Sequence, residues 1–319
     1  MSSGTEGGRG SDASVGGTEA VVDAVRSAES LSELVDVLDA DSEHDAYFEA
    51  KKVWREHTDG WFESSYDEGL PGDRVVVDGH EFHVHGVTHS GTDEERDFLR
   101  EHVLRFHEGG ATVYCEQGIR PLYFEDYPTA CEMDDYRWSV EKLKELDVEN
   151  PAFEAPPSEF EGMVENVDGV KSRVRDSVFA LVESGSGIYG ERFADAVGDA
   201  VSGLLTSHVD ASRGDDFESF RLTKEVARNP ERLGELQAYY RRKLLPQPIE
   251  SDWMRKHDPE IEILTHARNE RMADYAVYHN EDDEEVHLVV GAAHQPGVVY
   301  YLQKHRDGER TVEDFELFG

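Results

Sequence analysis

The sequence predicts an α/β fold: a mixed, largely parallel sheet with a long helical insertion. Three observations predict it. Residues 81–116 read as strand, helix, strand, the unit from which parallel sheets are built. A second β-patterned run, Glu285 to Val290, stands near the far end of the 319-residue chain. Between them, from about residue 134, the pattern is almost wholly helical. The two ends of the chain therefore share one sheet, and helices over about 134–258 are inserted within a single domain spanning 19–319.

Each element has its own signal. Residues 1–18 form an acidic, Gly- and Ser-rich tail with nothing to bury, which is expected to be disordered. From Glu19 to about Ala40, Val21, Val22, Val25, Leu31, Leu34, Val35 and Leu38 recur at helical spacing. A second helix over 44–56 carries Tyr47, Phe48 and Trp54. Arg74–Val77 then leads through Asp78-Gly79 into Glu81–Val87, a hairpin. Thr92 and Glu95 have the spacing of a capping box, and Phe98, Leu99, Val103, Leu104 and Phe106 follow it at helical intervals. Gly109-Gly110 closes that helix. The run Ala111–Cys115 ends on Glu116. Helical segments are expected near 134–146, 158–183, 189–209, 217–227 and 230–245. Pro246-Gln247-Pro248 must break the last of these. A helix over about 259–278 and another over Val298–Lys304 flank the final strand.

Charge bounds the environment. Asp and Glu number 70 against 32 Lys and Arg, a net charge of −38. Such a chain repels nucleic acid and anionic membranes, and Arg241-Arg242-Lys243, its one basic cluster, is too small for a nucleic-acid footprint. The acids are spread along the whole sequence. At molar salt the Debye length falls to about 3 Å and the self-repulsion is screened, so a high-salt cytoplasm is the expected setting. Two cysteines, Cys115 and Cys131, do not make a disulfide framework. No apolar run is long enough to span a membrane, and a homodimer is compatible with the composition.

Two elements, Gly86–His89 and Gly291–His294, carry the chemistry. With 28 Gly and 15 His in the chain, chance nearly supplies their shared spacing, so position is what counts. Each follows a β-patterned run and precedes a helix. Ligands of open α/β sheets bind just outside the carboxyl ends of strands, and Gly there lets the backbone turn or approach closely. His89, Glu116 and His294 are thus expected on one rim of one sheet. Two imidazoles and a carboxylate suit a divalent transition metal with open positions. A lone histidine in such a turn more often caps it or bonds a carbonyl. His83 and His85 share a strand face that reads as the polar side of a half-exposed hairpin, with His85 close enough to the turn to support the site. His102 and His107 read as solvated. Arg268-Asn269, just before the last strand, could hold a carboxylate or steady an oxyanion. Cys115 should point into the core, opposite Glu116.

The order of these parts resembles the TraB/PrgY/TIKI family. Gly86, His89 and Ser90 precede a helix, then a strand ending in Glu116, with Arg120 shortly after. Arg268, Asn269 and Met272 follow, then Gly291, His294 and Gly297. Gln117 and Gly118 depart from the family pattern. The resemblance covers roughly 73–120 and 260–304. It implies a ChaN-like or erythromycin-esterase-like α/β core and a metal-dependent peptidase with Mn, Co or Zn held by His89, Glu116 and His294. Glu116, Arg268 and Asn269 are then catalytic, and Gly86, Ser90, Arg120, Gly291, Gly297 and His85 supporting. The partner implied is a peptide or small-molecule substrate. Other members of the family act as pheromone-shutdown proteins, so a regulator that sequesters a peptide or ligand is the alternative.

Overall fold

The computed structural model describes residues 12–57, 69–146, 177–183, 192, 196–198, 202, 216–280, 285–313 and 315–318, the side chains of 12–18 excepted. The helical segments expected over 158–183 and 189–209 therefore lie largely outside the described residues, as do residues 1–11.

Three helices open the chain: α1 (Asp12–Ser27), α2 (Leu31–Leu38) and α3 (Glu43–His57). Thus α1 takes in residues 12–18 of the stretch expected to be disordered. Ser30 starts α2 by accepting from the Glu33 N–H. Val22, Val25, Leu31, Leu34, Tyr47 and Trp54 turn their apolar faces to one another and to Ile249, Trp253 and Met254, making a core separate from the sheet.

The hairpin follows. Strands β1 (Asp73–Val77) and β2 (His80–Val87) pair antiparallel. Asp78 and Gly79 between them have φ of 50° and 95°. Two positive φ values give the turn that matches the twist of a tight hairpin. Helix α4 (Asp93–Glu108) crosses to β3 (Thr112–Cys115). A short helix α5 (Ile119–Phe124), the two-residue strand β4 (Cys131–Glu132) and α6 (Asp135–Glu145) complete the first half.

In the second half α7 (Phe217–Arg228) and a 3-10 turn (Pro230–Arg232) lead to α8 (Leu233–Lys243). Pro246 ends that run, and a new helix, α9 (Gln247–His257), begins at once. The helix expected over 259–278 is two, α10 (Pro259–Leu264) and α11 (His266–Tyr278), because Thr265 leaves the helical region at φ −123°, ψ −80°. Strand β5 (Glu285–Gly291) and α12 (Gln295–Arg306) close the fold.

The sheet has the order β1-β2-β5-β3-β4 and is parallel except at β1. It is an α/β fold with a mixed, largely parallel sheet. The last strand enters between the two strands of the β2–α4–β3 unit, and this position explains its sequence. A strand covered on both faces is apolar on both, and Val286 to Val290, apolar but for His287, is buried throughout. One face of the sheet packs Val87, Val113, Cys115 and Val289 against α4, α5 and α8. The other packs Val84, Tyr114, Leu288 and Val290 against α11 and α12. Because α7 contributes Val226 and α8 contributes Leu233, Leu236 and Tyr239 to the first of these cores, these two helices of the middle segment pack on the sheet. Among the described residues no helix is long and apolar enough to cross a membrane.

Three local expectations are corrected. His83 and His85 do not line a half-exposed face; both are buried. Their side of β2 is covered by α4, whose Phe106 stacks on His287 of β5 at 3.6 Å between ring centroids. His102 is buried as well, its Nδ1 2.8 Å from the Phe98 carbonyl. Lastly, Thr92 does cap α4, but Glu95 does not return the bond. Its buried carboxylate accepts instead from the Thr88 N–H (2.9 Å), the Thr88 hydroxyl (2.6 Å) and the Tyr123 hydroxyl (2.5 Å).

Candidate functional site

The order β2-β5-β3 sets three parallel strands side by side. Their carboxyl ends therefore deliver His89, His294 and Glu116 to one rim. Glu116 is the centre. It directly follows β3, its N–H donates to the Val289 carbonyl at 2.9 Å, and its side chain is 1% exposed. The Nε2 atoms of His89 and His294 stand 3.6 and 3.5 Å from its two oxygens, Oε2 and Oε1 respectively. The expected triad is thus brought together. His89 is 41% exposed and His294 15%, so solvent reaches His89 more than His294, while Glu116 lies buried between them.

His89 reaches its place through a left-handed backbone, φ 60°. That conformation is disfavoured outside Gly, and the turn is held by the three bonds to Glu95 and by the Gly91 N–H on the Tyr123 hydroxyl at 3.1 Å. The ring lies over Gly291: a Cβ there would stand 2.4 Å from His89 Nε2. Gly86 and Gly297 are tight for the same kind of reason. A Cβ on Gly86 meets Ala292 Cα at 2.8 Å and Gln295 Oε1 at 2.7 Å, and one on Gly297 meets Asn269 Nδ2 at 2.1 Å.

Arg268 is where the structure departs from expectation. Its guanidinium is buried, so it does not present itself to a substrate or an oxyanion. It donates from Nη2 to Glu116 Oε1 at 2.7 Å and from Nε to Asp135 Oδ2 at 2.8 Å, with a further Nη2 bond to the same Asp135 oxygen. Tyr136 lies against its face at 3.7 Å. Arg268 therefore acts on Glu116. The Gly291 N–H adds a 2.7 Å bond to Glu116 Oε2. Burial alone would raise the Glu116 pKa, but His294, Arg268 and His89 outweigh it and hold the carboxyl well below its usual range. Desolvation works against charge on His89, yet Glu116 prevails and raises its pKa. Burial pushes Asp135 up to about 6 against the pull of Arg268, with the Glu116 charge adding to the rise.

Asn269 is buried beside Arg268 and supports His294: its Oδ1 is 2.6 Å from His294 Nδ1, while its Nδ2 donates to Gln247 Oε1 at 3.0 Å. The remaining expected residues lie further out. Arg120 ties α5 to the loop before β4 through the Ala130 carbonyl at 2.9 Å. Ser90 is exposed, with its N–H on Thr88 Oγ1 at 3.1 Å. His85 bonds the Pro71 carbonyl and His287 Nδ1, each at 2.9 Å, beneath the sheet.

Asp135, Gln117, Gln247 and Glu95 were not expected as site residues. Gln117 accepts from the N–H groups of Tyr136 and Arg137 at 3.0 and 3.2 Å, and its own N–H donates to Asp135 at 2.9 Å. It thereby clamps the start of α6, which carries Asp135. An acid beside another acid in a chain with 70 of them gives no local signal.

A metal fits the donor chemistry in part. A tetrahedral ion with bonds of about 2.0–2.2 Å separates its donors by roughly 3.3–3.6 Å, close to the two His–Glu distances. Metal-bound imidazoles are also commonly held through their other nitrogen, as Asn269 holds His294. Among the described residues, however, no group of three or more His, Cys, Asp or Glu side chains is gathered as a metal-binding set. The two imidazoles stand on different oxygens of Glu116, and Arg268 and Gly291 already bond those oxygens. Comparison of the chain with protein-family models, with curated proteins and with solved structures finds no match.

Proposed function

We propose that the chain is a metal-dependent hydrolase acting on a carbonyl bond of the peptide type, with His89, Glu116 and His294 as its centre. The observation that carries the reading is a buried carboxylate with two imidazole Nε2 atoms 3.6 and 3.5 Å from its oxygens, at the carboxyl ends of three adjacent parallel strands. A buried carboxylate with a shifted pKa at the carboxyl ends of parallel strands supports a functional reading of the rim. His89, Glu116 and His294 would hold a Mn, Co or Zn ion, which when bound supplies Lewis acidity and an activated water near neutral pH. Arg268 keeps Glu116 ionised, and the Asn269 oxygen orients His294. The ChaN-like core and TraB-type kinship implied by the motif order belong to the same proposal.

A second reading has one observation in its favour. Glu116 already has its charge balanced by Arg268 and the Gly291 N–H, as suits a protein that binds a peptide or small ligand without cleaving it. The two are separated by incubating the protein, in molar salt with Mn, Co or Zn, with a peptide library read by mass spectrometry. Metal-stimulated cleavage that disappears in His89→Ala supports the hydrolase. Retention of peptides without cleavage, also lost in His89→Ala, supports the sequestering protein.

A further inference from the structure

Two arginines about one turn apart on α11 grip two neighbouring acids at the start of α6. Arg268 takes Asp135, and Arg271 takes Asp134. The Arg271 Nε donates to Asp134 Oδ1 at 2.9 Å and its Nη2 to Oδ2 at 2.6 Å, a two-pronged fork. Both partners are buried. Asp134 stands where a capping side chain is expected, yet it makes no cap hydrogen bond. The N–H groups of Tyr136 and Arg137 go to Gln117 instead, and the Asp134 carboxylate is committed to another helix. A roof closes over the fork. The guanidinium carbon of Arg271 lies 3.8 Å from the centre of the Phe315 ring and 5.3 Å from that of Phe318. Its Nη2 also donates to the Glu316 carbonyl at 2.5 Å, and the Phe318 N–H donates to Asp134 Oδ2 at 3.2 Å.

We propose that Arg271 is a positioning residue for the rim: by fixing Asp134 it fixes the start of α6, and so holds Asp135 and Tyr136 against Arg268 and Arg268 against Glu116. Adjacent Cα atoms are about 3.8 Å apart, so α6 cannot shift at Asp134 without moving Asp135. Asp135 and Tyr136 both meet the Arg268 guanidinium, one accepting its hydrogen bonds and one lying on its face. With α6 free to move, the guanidinium loses that backing and Glu116 Oε1 loses its 2.7 Å donor. Arg271 thus acts through α6, two side chains removed from the carboxylate it serves. That the carboxylate in turn serves a metal rests on the hydrolase reading; the positioning does not.

The test is hydrogen exchange, followed by ¹⁵N NMR without metal or peptide, at two reporters. One is the Arg268 Nε–H, which donates to Asp135 and is assigned by its loss in Arg268→Met. The other is the Gly291 N–H, which donates to Glu116 Oε2. Both are expected to exchange slowly in the wild type. Arg271→Gln should quicken both about tenfold or more, while amides of α1–α3, whose core is separate from the sheet, keep their wild-type rates. Phe315→Ala with Phe318→Ala removes the roof and leaves Arg271 in place. It should act in the same direction, and it decides the matter if Arg271→Gln does not fold. Unchanged reporters in a folded variant overturn the proposal. So do reporters that quicken only in step with α1–α3, as a general loss of stability would cause, and so does an Arg268 Nε–H that already exchanges freely in the wild type. Neither metal uptake nor cleavage enters these readouts, so failure of the hydrolase reading is seen separately.

Discussion

Replacing Arg268 by Met removes the guanidinium that joins the buried carboxylates of Glu116 and Asp135. Arg268 is 2% exposed, Glu116 1% and Asp135 0%. The variant leaves both acids without their shared cation. Breaking a buried ion pair from one side costs about 3–5 kcal/mol. Methionine fills much of the arginine stem's volume, so most of the loss is electrostatic. Its pH dependence follows from Asp135. A carboxyl whose folded pKa, about 6, lies above its ordinary 3.8 holds its proton more tightly when folded. It therefore withdraws stability as pH rises through that window. Without Arg268 the rise is larger, because nothing offsets burial and the neighbouring Glu116. The deficit should be full near pH 8 and shrink toward about pH 5.5 as the carboxyl pair takes up a proton. Urea unfolding in molar salt, followed by tryptophan fluorescence at both pH values, measures it. Arg268→Met combined with Asp135→Asn should recover much of the loss. A deficit under about 1 kcal/mol, the level of an exposed pair, or one equal at both pH values, would mean that Arg268 does not carry the charge balance of the two carboxylates.

The other predictions concern the loop, the rim and the imidazoles beneath the sheet. Gly291→Ala places a Cβ 2.4 Å from His89 Nε2; it should keep the fold by circular dichroism while weakening metal uptake about tenfold or more. Glu95→Gln loses a carboxylate that accepts three hydrogen bonds, at a cost of about 1–3 kcal/mol, and hydrogen exchange should quicken at Thr88 and Gly91. Burial lowers the pKa of His85 to about 3 and, together with its histidine neighbours, that of His287 to about 2. Both are neutral when folded, whereas the unfolded chain protonates them below its ordinary 6.5. Stability is thus lost as pH falls below that value, by about 1.4 kcal/mol per pH unit for each ring. Removing one ring in His287→Leu should lessen the slope of urea midpoint against pH over that range, and an unchanged slope would contradict the assignment.

Much of this was legible because the signals are local. Asp78-Gly79 encodes its own turn, Thr92 its own cap, and the β-patterned run Glu285–Val290 its own strand. The rim could be assembled from His89, Glu116 and His294 because the ends of parallel strands point the same way whatever their order. What escaped depends on packing between distant segments. Nothing in His83 or His85 foretells that Phe106 of α4 comes down beside them. A Glu three residues past a Thr looks like half of a capping box, yet Glu95 turns back to Thr88 because the left-handed turn at His89 brings that donor within reach. Arg268 next to Asn269 suggested a hand held out to substrate. Only the position of α6 behind it reveals Asp135, and with it a guanidinium facing inward.

In the proposed site, His89, Glu116 and His294 act together on one divalent ion. Calorimetric titration of metal-stripped protein with Mn, Co and Zn in molar salt, on the wild type, His89→Ala and His294→Ala, tests it most directly. The wild type is expected to bind one equivalent of at least one of these metals, with affinity falling about tenfold or more in each variant. Binding that is absent in the wild type for all three metals, or undiminished in both variants, would contradict it.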